Sequence, residues 1–285
     1  MTASRSSENP YFIDAESPAE MARLTQQDRI VTKHMGGLLA EQRDLSRFHD
    51  VLDIACGPGG WVLDLAFEHP EIEVTGIDIS QRMIDYARTQ AQVQNLENTS
   101  FRVMNALKPL EFSDHAFDLV NARMIHGFVQ KTAWPQFLLE CQRILKHRGI
   151  IRLTQDEKPI TNSPAFEEYS TLGAKAISLA GQSFSPNGQL GGVPTMLWRL
   201  LRDAGYQNIQ YQAHAINFST GSDAHKSMYQ NWMVAFKLLQ PFMVKMNVMK
   251  QEEAEKLYQQ VLVEVQRDEF CGLWFFLTAW GETPN

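Results

Sequence analysis

Between residues 50 and 155 the apolar positions alternate between short continuous runs and helical spacing. Val51, Leu52 and Ile54 form a brief strand pattern interrupted only by Asp53, and glycines at 57, 59 and 60 end it. Trp61, Leu63, Leu65 and Ala66 then follow as a helix whose N-terminus faces that turn. The same rhythm predicts strands over 51–55, 72–78, 99–104, 117–122 and 150–155, with helices over 60–68, 80–94 and 132–146. Trp134, Phe137, Leu138, Cys141, Ile144 and Leu145 recur at i, i+3, i+4 and i+7, the mark of one buried helix face. Such alternation means a doubly wound α/β architecture: a mostly parallel sheet, helices on both faces, and ligands at the carboxyl ends of the strands.

The flanking segments break this rhythm. Residues 1–9 are polar and expected to be disordered. Ser17-Pro18-Ala19-Glu20 reads as a helix start with Ser17 as N-cap and Glu20 completing a capping box; the helix runs to about Met35 and stops at Gly36-Gly37. After Gln155 comes a loop-rich stretch, 157–193, with a helix from Pro164 to Ala180 and a Gly/Pro/Ser-rich run from Gly181 to Pro194. A helix over 194–204, a strand from Ile209 to Phe218, two helices within 222–267 and a last strand from Leu273 to Trp280 complete the chain. The expected organisation is an N-terminal segment with a capping helix (1–49), a core (50–156), an insertion (157–193), a core helix and strand (194–218), a helical insertion (219–269) and a final strand (270–285). Met228, Met233, Met243, Met246 and Met249 crowd the second insertion together with Trp232, Phe236 and Phe242. Flexible thioethers and aromatic rings make an adaptable apolar surface, either an acceptor pocket or an ordinary helix core.

The glycine turn carries the chemistry. A second strand ends at Asp78, 19 residues past Gly59, close to the ~20-residue spacing at which an acid takes ribose hydroxyls in nucleotide-binding βαβ units. A dinucleotide fingerprint requires a small residue where this chain has Val62, and Asp53 would set an uncompensated negative charge beside a pyrophosphate. A carboxylate there suits a ligand with a positive group and no phosphate. S-adenosylmethionine, with its ammonium and ribose, meets that description.

At this point the chain resembles the class I S-adenosylmethionine-dependent methyltransferases of small-molecule type. Val51 to Gly60 is similar to their first motif and Gly76-Ile77-Asp78-Ile79-Ser80 to their second. The resemblance continues through Phe101 to Ala106, Phe117 to Arg123, and Gly149 to Leu153. It implies a seven-stranded Rossmann-like sheet whose last strand is antiparallel, with the N-terminal helix and the insertions forming a lid. By resemblance, Asp53 and the backbone of Ala55, Cys56, Gly57 and Gly59 meet the methionine part of the donor, and Asp78 the ribose. Ile79, Met83, Asn105, Ala106 and Leu107 would line the adenine site, and Asn121 and Ala122 would close it. Asn105 stands where many members have Asp, and Phe128 about where several carry a histidine.

Composition narrows the acceptor. A net charge of −7 without a basic run disfavours nucleic acid, because phosphate binding relies on clustered Lys and Arg. The longest apolar stretch, Phe270 to Trp280, is too short for the ~20 residues of a membrane helix, and the first twenty residues hold no sustained apolar region. Cys56, Cys141 and Cys271 show no metal-ligand spacing, so no metal is expected, and a reducing cytoplasm is the default. The expected partner is a small, largely apolar or aromatic acceptor, and self-association is open. An Asn-Pro-Pro-aromatic tetrad is absent after the fourth strand, where Asn121-Ala122-Arg123-Met124 stands. His126 is the candidate general base; Tyr169, His214 and His225 are weaker ones. Two other readings stay open: an NAD(P)-dependent oxidoreductase and a catalytically silent donor-binding protein.

Overall fold

The computed structural model describes residues 11–42 and 44–284. The expected disorder of residues 1–9 concerns residues outside that set. Strands β1 (Asp50–Ile54), β2 (Glu73–Asp78), β3 (Thr99–Val103), β4 (Phe117–Arg123) and β5 (Leu145–Asp156) run parallel in the order β3-β2-β1-β4-β5. The order reverses between β1 and β4, and the crevice beyond their carboxyl ends is where such sheets bind ligands. β8 (Gly272–Glu282) lies antiparallel between β5 and β7 (Gln207–Asn217). An eighth strand, β6 (Ile160–Thr161), adds two residues along β8 and was not foreseen in the seven-stranded sheet.

Alternation along the strands divides the core. Leu52 and Ile54 face α4 (Trp134–Ile144) and α6 (Val193–Asp203) in one apolar cluster with Val120 and Ile151. Val51 packs in another with Val74, Leu119 and Ile150, under α2 (Gly60–Glu68) and α3 (Gln81–Val93). The penultimate core helix stops at Ile144, short of the expected 146, because Leu145 is already extended at ψ 137° and begins β5.

A third cluster stands beside the sheet. It joins α5 (Pro164–Leu179), α7 (His225–Lys245) and α8 (Gln251–Glu264) to Ile30 and Val31 of α1 (Pro18–His34) and to Trp274 and Phe276 of β8. Met228 and Met243 are fully buried here, while Met233, Met246 and Met249 pack against its surface. The methionines of this segment are therefore helix core, and the acceptor-pocket alternative falls to their aromatic and aliphatic neighbours. No helix among the described residues is long and apolar enough to cross a membrane.

The start of α1 departs from the expected capping box. Ser17 Oγ accepts the Glu20 N–H at 3.4 Å, but the Glu20 side chain does not reach back. Glu20 is fully buried and accepts from Arg23 at 2.7 and 2.6 Å and from Tyr11 Oη at 2.8 Å. A buried carboxylate gains more from a guanidinium than from a lone backbone N–H.

Candidate active site

The turn after β1 holds an unusual backbone. Ala55 adopts φ +57°, a left-handed conformation uncommon for a residue with a side chain, and Gly57 and Gly59 follow at +54° and +83°. The Cys56 N–H bonds to Ile77 O at 2.9 Å, which ties the turn to β2. Gly59 faces away from the crevice: a Cβ there would lie 2.8 Å from Ala87 Cβ and 2.9 Å from the Phe101 ring. Its smallness lets α3 and β3 close on the turn.

Asp78, at the end of β2, organises the other side. Its Oδ2 accepts the Gly57 N–H at 2.9 Å and its Oδ1 the Ser80 N–H at 2.8 Å. Burial pushes its carboxyl up, opposed by those backbone N–H groups. Ser80 in turn caps α3, accepting from Met83 N at 3.2 Å. The Asn105 amide oxygen accepts the Leu107 N–H at 2.9 Å, so its side chain braces the loop after β3 as well as lining the crevice.

Behind the turn runs a buried polar chain. Asp53, 3% exposed, accepts from Asn121 Nδ2 at 2.7 Å. Asn121 Oδ1 accepts from Arg152 at 2.8 Å, and Arg152 pairs with Glu41 at 2.6 Å. Burial raises the Asp53 carboxyl to about 7, although Arg123 and the Asn121 amide oppose it. Arg123, the last residue of β4, is held by Asp28 and Thr32 of α1. Asp28, Asp53, Asp78, Asp156 and Glu157 line one cavity with Arg23, Arg123 and Lys158, an acid excess that favours a cationic ligand.

That cavity extends from the glycine turn to the helical cluster. Among the predicted site residues, Asp53, Ala55, Cys56, Gly57 and Asp78 line it at the turn, and Ile79, Met83, Asn105 and Ala106 border it beside β2 and β3. Four do not line it. Gly59 packs against α3, Leu107 and Ala122 belong to the apolar core, and Asn121 stands behind Asp53 as a bridge to Arg152. Cys56 is buried, and burial pushes its thiol well up.

The far end is apolar. Trp232, Ala235, Phe236 and Leu239 of α7 line it together with Gly173, Ala174 and Ile177 of α5 and Trp274 of β8, whose ring lies 4.8 Å from that of Trp232. Phe12 closes it from the segment just before α1, the N-terminal strap, 5.8 Å from the Phe242 ring and 6.5 Å from that of His126. His126 lines this end; its Nδ1 lies 3.4 Å from Asp156 Oδ1, and neither atom has a hydrogen-bond partner among the described residues. Trp274 Nε1 donates to the second Asp156 oxygen at 3.2 Å. Burial pushes the Asp156 carboxyl up, opposed by the charge of His126.

The weaker base candidates are placed elsewhere in the fold. The Tyr169 hydroxyl donates to Phe236 O at 2.7 Å and is buried in helix packing. His225 Nδ1 lies 3.0 Å from Phe218 O, and neither His225 nor His214 lines the cavity. Sequence reading missed Tyr11, Arg23, Asp28, Arg123 and Asp156, all of which line it. Asp156 and Arg123 carried a usable signal: each is a charged residue at the carboxyl end of a core strand.

Residues 51–149 match the family described as a methyltransferase domain. Together with the sheet and its crevice, that domain makes the chain a class I S-adenosylmethionine-dependent methyltransferase. A demethylmenaquinone methyltransferase from Listeria welshimeri is 27% identical over 180 residues, which cover 58% of this chain and 73% of that protein. Among solved structures, the YcgJ protein of Bacillus subtilis superposes with a TM-score of 0.53 at 16% identity, covering 92% of this chain and 99% of that one. A phosphoethanolamine N-methyltransferase 2 of Haemonchus contortus, in complex with S-adenosyl-L-methionine, gives 0.53 at 17% identity over 96% of this chain and 60% of that one. Those two likenesses establish the fold.

Proposed function

We propose that this methyltransferase acts on a small, largely apolar, ring-bearing acceptor of quinone-like kind. The observation that carries the reading is the continuity of one cavity from the carboxylates at the glycine turn to the aromatic walls of α7 and β8. The Listeria relative, a demethylmenaquinone methyltransferase, supports an acceptor of that chemistry. The net charge of −7 argues against nucleic acid.

When bound, S-adenosylmethionine supplies an electrophilic methyl group on a positively charged sulfur. Asp53 and the Gly57 turn would hold its methionine end, and Asp78 its ribose hydroxyls. Ile79, Met83 and Ala106 offer apolar contact to the adenine ring. Trp232, Phe236 and Trp274 hold the flat acceptor by apolar contact and stacking. The N-terminal strap, α1, α5 and α7 cover the cavity, exclude water and restrict the acceptor to an in-line approach.

Incubation with methyl-labelled donor and a panel of hydroxylated naphthalenes, benzoquinols, small polar amines and RNA tests this reading. Label should enter the quinol and naphthol products. Label confined to polar amines or RNA would overturn it, as would tight NAD binding without donor binding in calorimetry.

A further inference from the structure

The cavity holds a pair of titratable groups that binding alone does not use. His126 and Asp156 come from different strand ends, the short 3-10 turn after β4 and the last residue of β5. Their side chains are 16% and 15% exposed, enough to be reached from the cavity and too little to be surface groups. The Asp156 carboxylate faces two ring nitrogens: Trp274 Nε1 donates to Oδ2 at 3.2 Å, and His126 Nδ1 lies 3.4 Å from Oδ1. The His126 backbone is fixed as well, its N–H donating to Gln155 Oε1 at 3.2 Å.

The neighbouring charges are engaged elsewhere. Glu157 accepts the Gly191 and Gly192 N–H groups, both at 2.8 Å, and Lys158 reaches Glu167 at 3.3 Å. Phe12 packs against the imidazole, with the two ring centres 6.5 Å apart. A carboxylate facing Nδ1 favours the tautomer with its proton on Nδ1 and leaves the Nε2 lone pair available.

We propose that His126 is the general base of the reaction and Asp156 its positioning residue, and that the acceptor is a phenol or hydroquinone that must lose its hydroxyl proton to react. This inference rests on the aromatic-acceptor reading and narrows it. His126 Nε2 takes the hydroxyl proton and becomes imidazolium, stabilised by Asp156. The oxygen keeps the electron pair, and the phenolate attacks the methyl carbon through oxygen or through the ring carbon that shares its charge. The electrons of the broken carbon–sulfur bond stay on sulfur, which leaves neutral. In the carbon case the ring hydrogen is lost as a second proton to water.

Two measurements test it. In protein loaded with S-adenosylhomocysteine, nitrogen-15 spectra should place the neutral His126 proton on Nδ1, and Asp156→Asn should abolish that preference. Kinetically, His126→Asn and Asp156→Asn should lower kcat on a weakly acidic hydroquinone by about 100-fold or more, the scale of general base catalysis. KM and S-adenosylhomocysteine affinity should stay within about twofold, and Asp156→Glu should recover part of the rate. On a nitrophenol already ionised at the assay pH, the loss should nearly vanish, because no proton remains to be taken. Equal losses on both acceptors, or a proton found on Nε2, would overturn the base assignment while leaving the acceptor reading intact. If the wild type methylates no phenol or quinol at all, the acceptor reading fails and the base assignment goes with it.

Discussion

The carboxylate of Asp28 occupies the space that a side chain on Gly60 would need. A Cβ built at Gly60 collides with Oδ2, so the first residue of α2 has no room for alanine while α1 is docked. Gly60→Ala should push Asp28 away from Arg123 and destabilise the protein by about 1–3 kcal/mol, as overpacking in a closed site does. Chemical denaturation measures that cost, and calorimetry should show weaker donor binding in the same variant.

Asp53 links donor binding to pH. Its folded carboxyl titrates near 7, above the ordinary value of 3.8, chiefly because burial disfavours the charged form. The unliganded protein therefore loses stability from this group as pH rises from about 4 towards 7, by a few kcal/mol in order of magnitude. A cationic donor favours the ionised form, so binding should tighten as pH rises to about 7 and then level off. Calorimetric titrations across that window check it, and Asp53→Asn should flatten the dependence.

Glu41 and Arg152 form an ion pair with side chains 2% and 1% exposed. Burial acts to raise the Glu41 carboxyl, but the Arg152 guanidinium outweighs it and holds the group below its usual range. Glu41→Ala should cost roughly 3–5 kcal/mol, because it strands a buried guanidinium. A double variant that also replaces Arg152 with leucine should recover part of the loss in urea unfolding.

Asp78→Ala should weaken donor affinity by about 1–3 kcal/mol in calorimetry through lost charge-assisted hydrogen bonds. It also frees the Gly57 and Ser80 N–H groups, which lose their acceptor. Asp78→Asn, which keeps an acceptor oxygen for one of them, should retain more of the fold stability than of the affinity.

The glycine turn, the strand endings at Asp53 and Asp78 and the alternating core were legible because each is a local pattern. Val51 and Leu52 point to opposite faces for the same reason that their positions alternate in sequence. The polar partners were not legible, because Asp28 meets Arg123 across 95 residues and Asn121 meets Asp53 across 68. Such pairs depend on the docking of whole elements. The methionine-rich segment left two readings open for a related reason: composition shows that a helix is sticky, but only packing shows which neighbour it sticks to. Its methionines turn into the helical cluster, and Trp232, Phe236 and Leu239 pack with that cluster while also lining the cavity.

The walls of the cavity come from both ends of the chain, Tyr11 at one and Trp274 at the other, closing on a crevice in the sheet. A bound ligand thus acts as mortar in a joint between two separately packed masses. Any molecule that fits should raise the melting temperature by mass action, more at higher concentration. It should also slow proteolysis of residues 11–42, far along the chain from many of its own contacts. A thermal-shift screen can therefore find acceptors before any product is known.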